Sequence, residues 1–198
     1  MEREKEFVGA SLDAILERMA GVGAQNAARG LSTMLGRPIR MSVPRLALVP
    51  LSEVPARVGG PEQEAVGVYL MVTGDLAGHV MLIMPISDAL HLVDLLMEVP
   101  EGTSQALGAL ECSALGEVGN VATSLFLNAI ADATGLDLRP SPPAVLVDMV
   151  GAVIDIILAS AGTVSDDILL LEAEFHGPDR SVEMYFWLVP MVREPAEA

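Results

Sequence analysis

Three polar residues within one short stretch, Ser113, Glu117 and Asn120, have the types and spacing to do chemistry together. On a helix they sit at i, i+4 and i+7, within about 60° of one another on one stripe. Leu115, Val118, Ala122 and Leu125 fall on the other side, so the same segment also has a face that seeks a core. A carboxylate presented beside a carboxamide can grip a cation and orient a water molecule, with no nucleophile or metal of its own. Pro143 follows the trio at a distance.

Other chemistries find little support. The glycines around Gly21 and Gly23 lack the Gly-Lys-Ser/Thr that would complete a phosphate loop. There is no Gly-x-Ser-x-Gly elbow. His79, His91 and His176 are scattered without metal-ligand spacing, so no metal site and no cofactor of the chain's own are expected. Cys112, beside Ser113, reads as a small helix side chain. A single thiol excludes an internal disulfide framework and fits a reducing cytoplasm.

The elements that position the trio are written twice. Gly36-Arg-Pro-Ile39-Arg40-Met-Ser42-Val-Pro44 matches Gly135-Leu-Asp-Leu138-Arg139-Pro-Ser141-Pro-Pro143 at a constant offset of 99 residues (135 − 36). Upstream, Leu16 faces Leu115, Met19 faces Val118, Val22 faces Val121 and Leu31 faces Ile130. Each half starts with a long helix, ends it near a glycine and passes through a proline-bearing segment. Two strands follow in each: Ala65 to Met71 and Gly78 to Met84 around Gly74-Asp75, then Ile168 to Phe175 and Ser181 to Val189 around Gly177-Pro178-Asp179. A helix over Ser87 to Met97 has Ser87 as its expected N-cap. Strand-like runs, Met41 to Pro50 and Ala144 to Asp148, precede the hairpins. The second continues apolar through Leu158 and could be helix, strand or both, since periodicity alone does not decide it.

The expected fold is therefore α+β: an internal repeat with pseudo-twofold symmetry, its sheet of about six strands mixed or antiparallel, packed with two long helices. One domain spans 1–198, built of repeat 1 (about 8–99) and repeat 2 (about 104–198). Subtracting 99 maps Ser113 to Ala14, Glu117 to Arg18, Asn120 to Gly21 and Pro143 to Pro44. The proline survives and the polar trio does not, which points to a functional role for the trio in the second half.

Hydrophobic residues make up 52% of the 198, enough for a sizeable core, and 27 acidic against 11 basic residues give a net charge of −16. Such a chain is a poor partner for nucleic acid or an anionic membrane surface. The charge serves solubility and suits a partner with a basic rim. Met1 to Phe7 is charged with no apolar region behind it, so no signal peptide is expected. Ala144 to Ala161 carries Asp148 and Asp155, which argues for buried structure over membrane insertion. The expected location is the cytoplasm.

With these residues in view, the chain resembles the CheC family of chemotaxis phosphatases, in the group that includes CheX and FliY. The family signature is Asp or Ser, three residues, Glu, two residues, Asn, then 22 residues and Pro; Ser113, Glu117, Asn120 and Pro143 meet every spacing. Glu117-Val-Gly-Asn120-Val resembles E-I-G-N-I, and Gly21-Val-Gly-Ala-Gln-Asn26-Ala-Ala resembles N-I-G-A-G-N-A-A. The resemblance implies a hydrolase acting on a phosphorylated CheY-type response regulator in two-component signalling. Asn120 would orient water, Glu117 would bind the regulator's lysine, and Ser113 and Pro143 would support them. Mg²⁺ would come with the regulator. Many family members carry the Glu and Asn pair in both halves. Here Ala14, Arg18 and Gly21 mark a degenerate first site, so a single site is expected. The alternative is a non-catalytic adaptor that binds the deamidase CheD or a flagellar-switch partner.

Overall fold

Gly36 and Gly135 end the two long helices, both with positive φ (+63° and +76°), the left-handed turn that glycine adopts without cost. The computed structural model describes residues 12–161, 167–176 and 182–191. Four helices are described: α1 (Leu12–Leu35), α2 (Ile86–Leu96), α3 (Ala109–Thr134) and α4 (Val150–Ala161). The strands are β1 (Arg40–Met41), β2 (Arg45–Pro50), β3 (Glu64–Gly74), β4 (Gly78–Pro85), β5 (Leu138–Pro140), β6 (Ala144–Met149), β7 (Asp167–His176) and β8 (Glu183–Pro190).

All strand pairings among these residues are antiparallel. The order is β1-β7-β8-β4-β3-β5, with β2 also on β7 and β6 also on β3. So β1 and β2 form one interrupted edge lane and β5 and β6 form the other, and the sheet has about six lanes. Each edge lane pairs with the hairpin that lies in the other half of the chain.

Proline explains the interruptions. Pro44 and Pro143 have no N–H to give to a ladder, and a serine two positions earlier bridges the gap. Ser42 N–H donates to the Glu174 carbonyl and Glu174 N–H donates to Ser42 Oγ, both at 2.9 Å. Ser141 repeats the pattern, donating to the Met71 carbonyl at 2.8 Å and accepting from Met71 N–H at 3.0 Å.

The main core lies between the α1–α3 pair and one face of the sheet, around Phe126, Phe175, Phe186, Leu31 and Leu82. Helices α1 and α3 approach closely because small residues line the contact. A Cβ on Gly23 would stand 2.7 Å from the Phe126 ring, and one on Gly30 only 2.0 Å from Leu125 Cδ1. A second, smaller core covers the opposite sheet face, where α4 and two short 3-10 turns (Leu51–Glu53 and Pro55–Val58) pack over Trp187, Met81 and Ile83.

One open reading of the sequence is resolved and one expectation is overturned. The apolar run from Ala144 is both strand and helix: β6 ends at Met149 and α4 begins at Val150, whose N–H donates to the Gln63 carbonyl at 2.8 Å. Ser87 is not the cap of α2. The helix starts one residue earlier, at Ile86, after Pro85 with φ −54°, and Ser87 Oγ donates to Asp88 Oδ1 at 3.2 Å inside the first turn. The turn expected at 177–179 lies outside the described residues.

Candidate active site

Helix α3 is capped at its N-terminus by Gly108, whose N–H donates to the Glu111 carboxylate at 2.9 Å. The connection leading into it is held by Asp94, a buried carboxylate that accepts from the backbone N–H of Gly102 (2.7 Å), Thr103 (3.1 Å) and Ser104 (2.8 Å). Hydrogen bonding from Ser104 above all, with Gly102 and Thr103, holds this carboxyl below its usual range against the opposing pull of burial.

Leu115, Val118, Ala122 and Phe126 anchor the underside of α3 in the core. Two glycines on that underside let it lie flat. A Cβ on Gly119 would sit 2.4 Å from Val68 Cγ1 on β3. One on Gly116 would sit 3.3 Å from Val145 Cγ2 and 3.7 Å from Pro143 Cγ. Pro143 thus packs beside the turn that bears Glu117. The signal in the sequence for this arrangement is a pair of glycines three apart inside a helix.

The opposite face of α3 carries the trio. Ser113 and Glu117 are exposed and Asn120 is half-buried. Asn120 Nδ2 donates to Glu117 Oε2 at 3.4 Å, a long contact that leaves both groups free to engage an outside partner. The structure therefore brings Glu117 and Asn120 together, sets Ser113 one turn before them, and places Pro143 against the helix flank. Arg139, near the C-terminal end of α3, is occupied by a two-pronged ion pair with Asp137, one prong at 3.0 Å.

In the first half, Ala14 and Arg18 lie in the early turns of α1, where side chains are outside the described residues; Gly21 is described, and a Cβ there would meet nothing within 4 Å. The histidines do not gather. His79 Nδ1 lies 2.7 Å from the Tyr69 hydroxyl, His91 3.5 Å from Glu101, and His176 3.2 Å from Glu174. Among the described residues no three His, Cys, Asp or Glu side chains are grouped to hold a metal ion, and no helix is long and apolar enough to cross a membrane. Cys112 is a half-buried free thiol.

Residues 110–147, which span the whole trio and Pro143, match the CheC-like family model. Over 172 residues the chain is 31% identical to the CheY-P phosphatase CheC of Bacillus subtilis strain 168, covering 86% of this chain and 82% of that one. The chain belongs to the CheC family.

Two solved structures share the fold of this CheC-family chain. FliY of Thermotoga maritima superposes with a TM-score of 0.69 at 20% identity, covering 92% of this chain and 91% of FliY. The chain from the CheX-CheY-BeF3-Mg complex of Borrelia burgdorferi gives a TM-score of 0.57 at 18% identity, covering 86% of this chain and 96% of the other. The fold they share with it is the α+β architecture described above, an antiparallel sheet packed with helices.

Proposed function

We propose that this CheC-family protein speeds hydrolysis of the aspartyl phosphate on a CheY-type response regulator, using Glu117 and Asn120. The observation that carries the reading is the pair itself: a carboxylate and a carboxamide side by side on the solvent face of α3, at family spacing, with Pro143 packed alongside. The name of the Bacillus subtilis relative and the CheX-CheY complex support a phosphorylated regulator as substrate.

An aspartyl phosphate is a reactive mixed anhydride, so the catalyst's task is positioning and charge stabilisation. Water adds to phosphorus, the bond from phosphorus to the aspartyl oxygen breaks, and inorganic phosphate and a free carboxylate result. Asn120 would hold the attacking water through its side-chain amide. Glu117 would fix the regulator by a charge-assisted hydrogen bond to its lysine. Mg²⁺ would arrive bound to the regulator as part of the substrate. Ser113 would contact the docked partner, and Pro143 would brace the helix. Arg18, standing where a second Glu would be, would repel the same lysine, which leaves one working site.

The test is phosphate loss from a purified phosphorylated CheY-type regulator. Asn120→Ala is expected to remove most of the acceleration, on the order of 10²-fold, with stability changed by about 0.5 kcal/mol or less. Arg18→Ala is expected to leave turnover near wild type. Binding of the regulator without acceleration by wild-type protein would move the function to the adaptor class, with CheD or a flagellar-switch protein as the partner to try next.

A further inference from the structure

The degenerate first half is not a blank surface. A groove of about 380 Å³ opens between α1 and the segment joining β1 to β2, lined by Gly21, Gln25, Arg29, Ser42, Val43 and Pro44 among others. It is the counterpart of the Asn120–Pro143 side of the second half, at the same offset of 99 residues (120 − 21 and 143 − 44). Gly21 leaves it open, since among the described residues a Cβ there would meet nothing within 4 Å beyond its own helix backbone.

The chemistry of the groove is the reverse of the Glu117 site. From residue 18 to residue 52 the chain has five arginines and no Asp or Glu, in a protein of net charge −16. Arg18, Gly21, Val22, Gln25 and Arg29 recur at helical spacing on one stripe of α1. Arg29 has no carboxylate within 4 Å among the described residues. Arg40 and Arg45 are paired in register with His176 and Glu172 of β7 and do not line the groove.

Ser42 adds a donor. Its Oγ accepts from Glu174 N–H, and its own O–H has no acceptor among the described residues. Its counterpart Ser141 spends that proton on the Pro142 carbonyl at 3.0 Å. Among the described residues, Arg29, Ser42 and the Gln25 amide thus have donors without an acceptor at one place, beside open apolar surface: Val43 is 82% exposed and Val22 is 48% exposed.

We propose that this groove docks a short acidic and aliphatic segment of a partner protein, with a carboxylate on Arg29 and Ser42 and an aliphatic side chain over Gly21. Guanidinium and hydroxyl donors match a carboxylate, and the valines and proline match a hydrocarbon group. A long polyanion is disfavoured by composition, since all 27 acidic residues lie outside residues 18–52. Nucleic acid would run beyond the arginines onto a strongly acidic surface, whereas a short segment stays within the about 10 Å over which charge is felt at 0.1 M salt.

The probe is a short fluorescein-labelled peptide of Glu-Glu-Leu repeats, titrated with the full chain at about 0.1 M salt and read by anisotropy. Saturable binding is expected, weakened about tenfold or more by Arg29→Glu and also by Gly21→Phe, which fills the groove. Asn120→Ala should bind the peptide as wild type does, which separates this surface from the proposed catalytic pair. Circular dichroism and melting temperature check that both groove variants remain folded. Absence of saturable binding overturns the proposal. So does binding that survives both groove substitutions, or tighter binding of an oligothymidine of equal charge.

Discussion

Asp94 takes no part in the proposed chemistry, yet it fixes where the chemistry stands. Its carboxylate collects three backbone N–H groups from the connection into α3. Because its folded pKa lies below the ordinary 3.8, its stabilisation is complete above that value and is lost as pH falls through the lowered one. Asp94→Asn is expected to lower the melting temperature at neutral pH and to flatten the acid limb of a stability profile. Equal acid limbs for the variant and wild type would contradict this role. Glu117 and Asn120 could be singled out by type and spacing because polar groups on a helix exterior are set by local geometry alone, whereas Pro143 stood out only through the internal repeat and the family signature. Gly116 and Gly119 could not be assigned a partner that way. What a glycine makes room for, here Val68, Val145 and Pro143, depends on which strand the fold brings beneath it.

At the scale of elements, α1 contains two glycines with opposite expectations. Gly21 faces open space, so Gly21→Ala should stabilise by up to about 1 kcal/mol through helix propensity. Gly23 lies 2.7 Å from the Phe126 ring by its missing Cβ, with the Phe126 carbonyl at 2.9 Å, so Gly23→Ala should cost about 1–3 kcal/mol by overpacking. Urea unfolding of the two variants distinguishes them by sign. Gly119→Ala belongs to the second class and should also slow turnover, because lifting α3 from β3 displaces Asn120. The long helices could be read from their periodicity and closing glycines. The run after Ala144 could not, since it is apolar but for Asp148 and Asp155 and follows neither period cleanly. Its switch from β6 to α4 coincides with hydrogen bonds from Val150 and Gly151 to Gln63 and Pro61, residues more than eighty positions earlier in the chain.

At the scale of the molecule, our reading of the chain as two repeats, about 8–99 and about 104–198, is a proposal that the strand order supports. Replacing each first-half strand by its second-half counterpart gives the same order read from the other end. Neither half closes its own sheet: β2 rests on β7, β6 on β3, and β4 meets β8 at the centre. Fragments cut near residue 100 are therefore expected to be largely unfolded alone and to gain helix and sheet signal on mixing. The intact chain should melt in one transition. A first fragment that folds and melts cooperatively by itself would refute this dependence.

The central pairing of β4 with β8 also sets a timetable for synthesis. Pro85 ends β4 and Pro190 ends β8, so 105 residues (190 − 85) are translated between a strand and its neighbour. At the usual pace of a ribosome that is roughly 5 to 20 s. Through that interval β4, apolar along nearly its whole length, waits with one edge uncovered. Chaperone supply and translation speed, more than the stability of the finished fold, should then govern how much native protein a cell recovers.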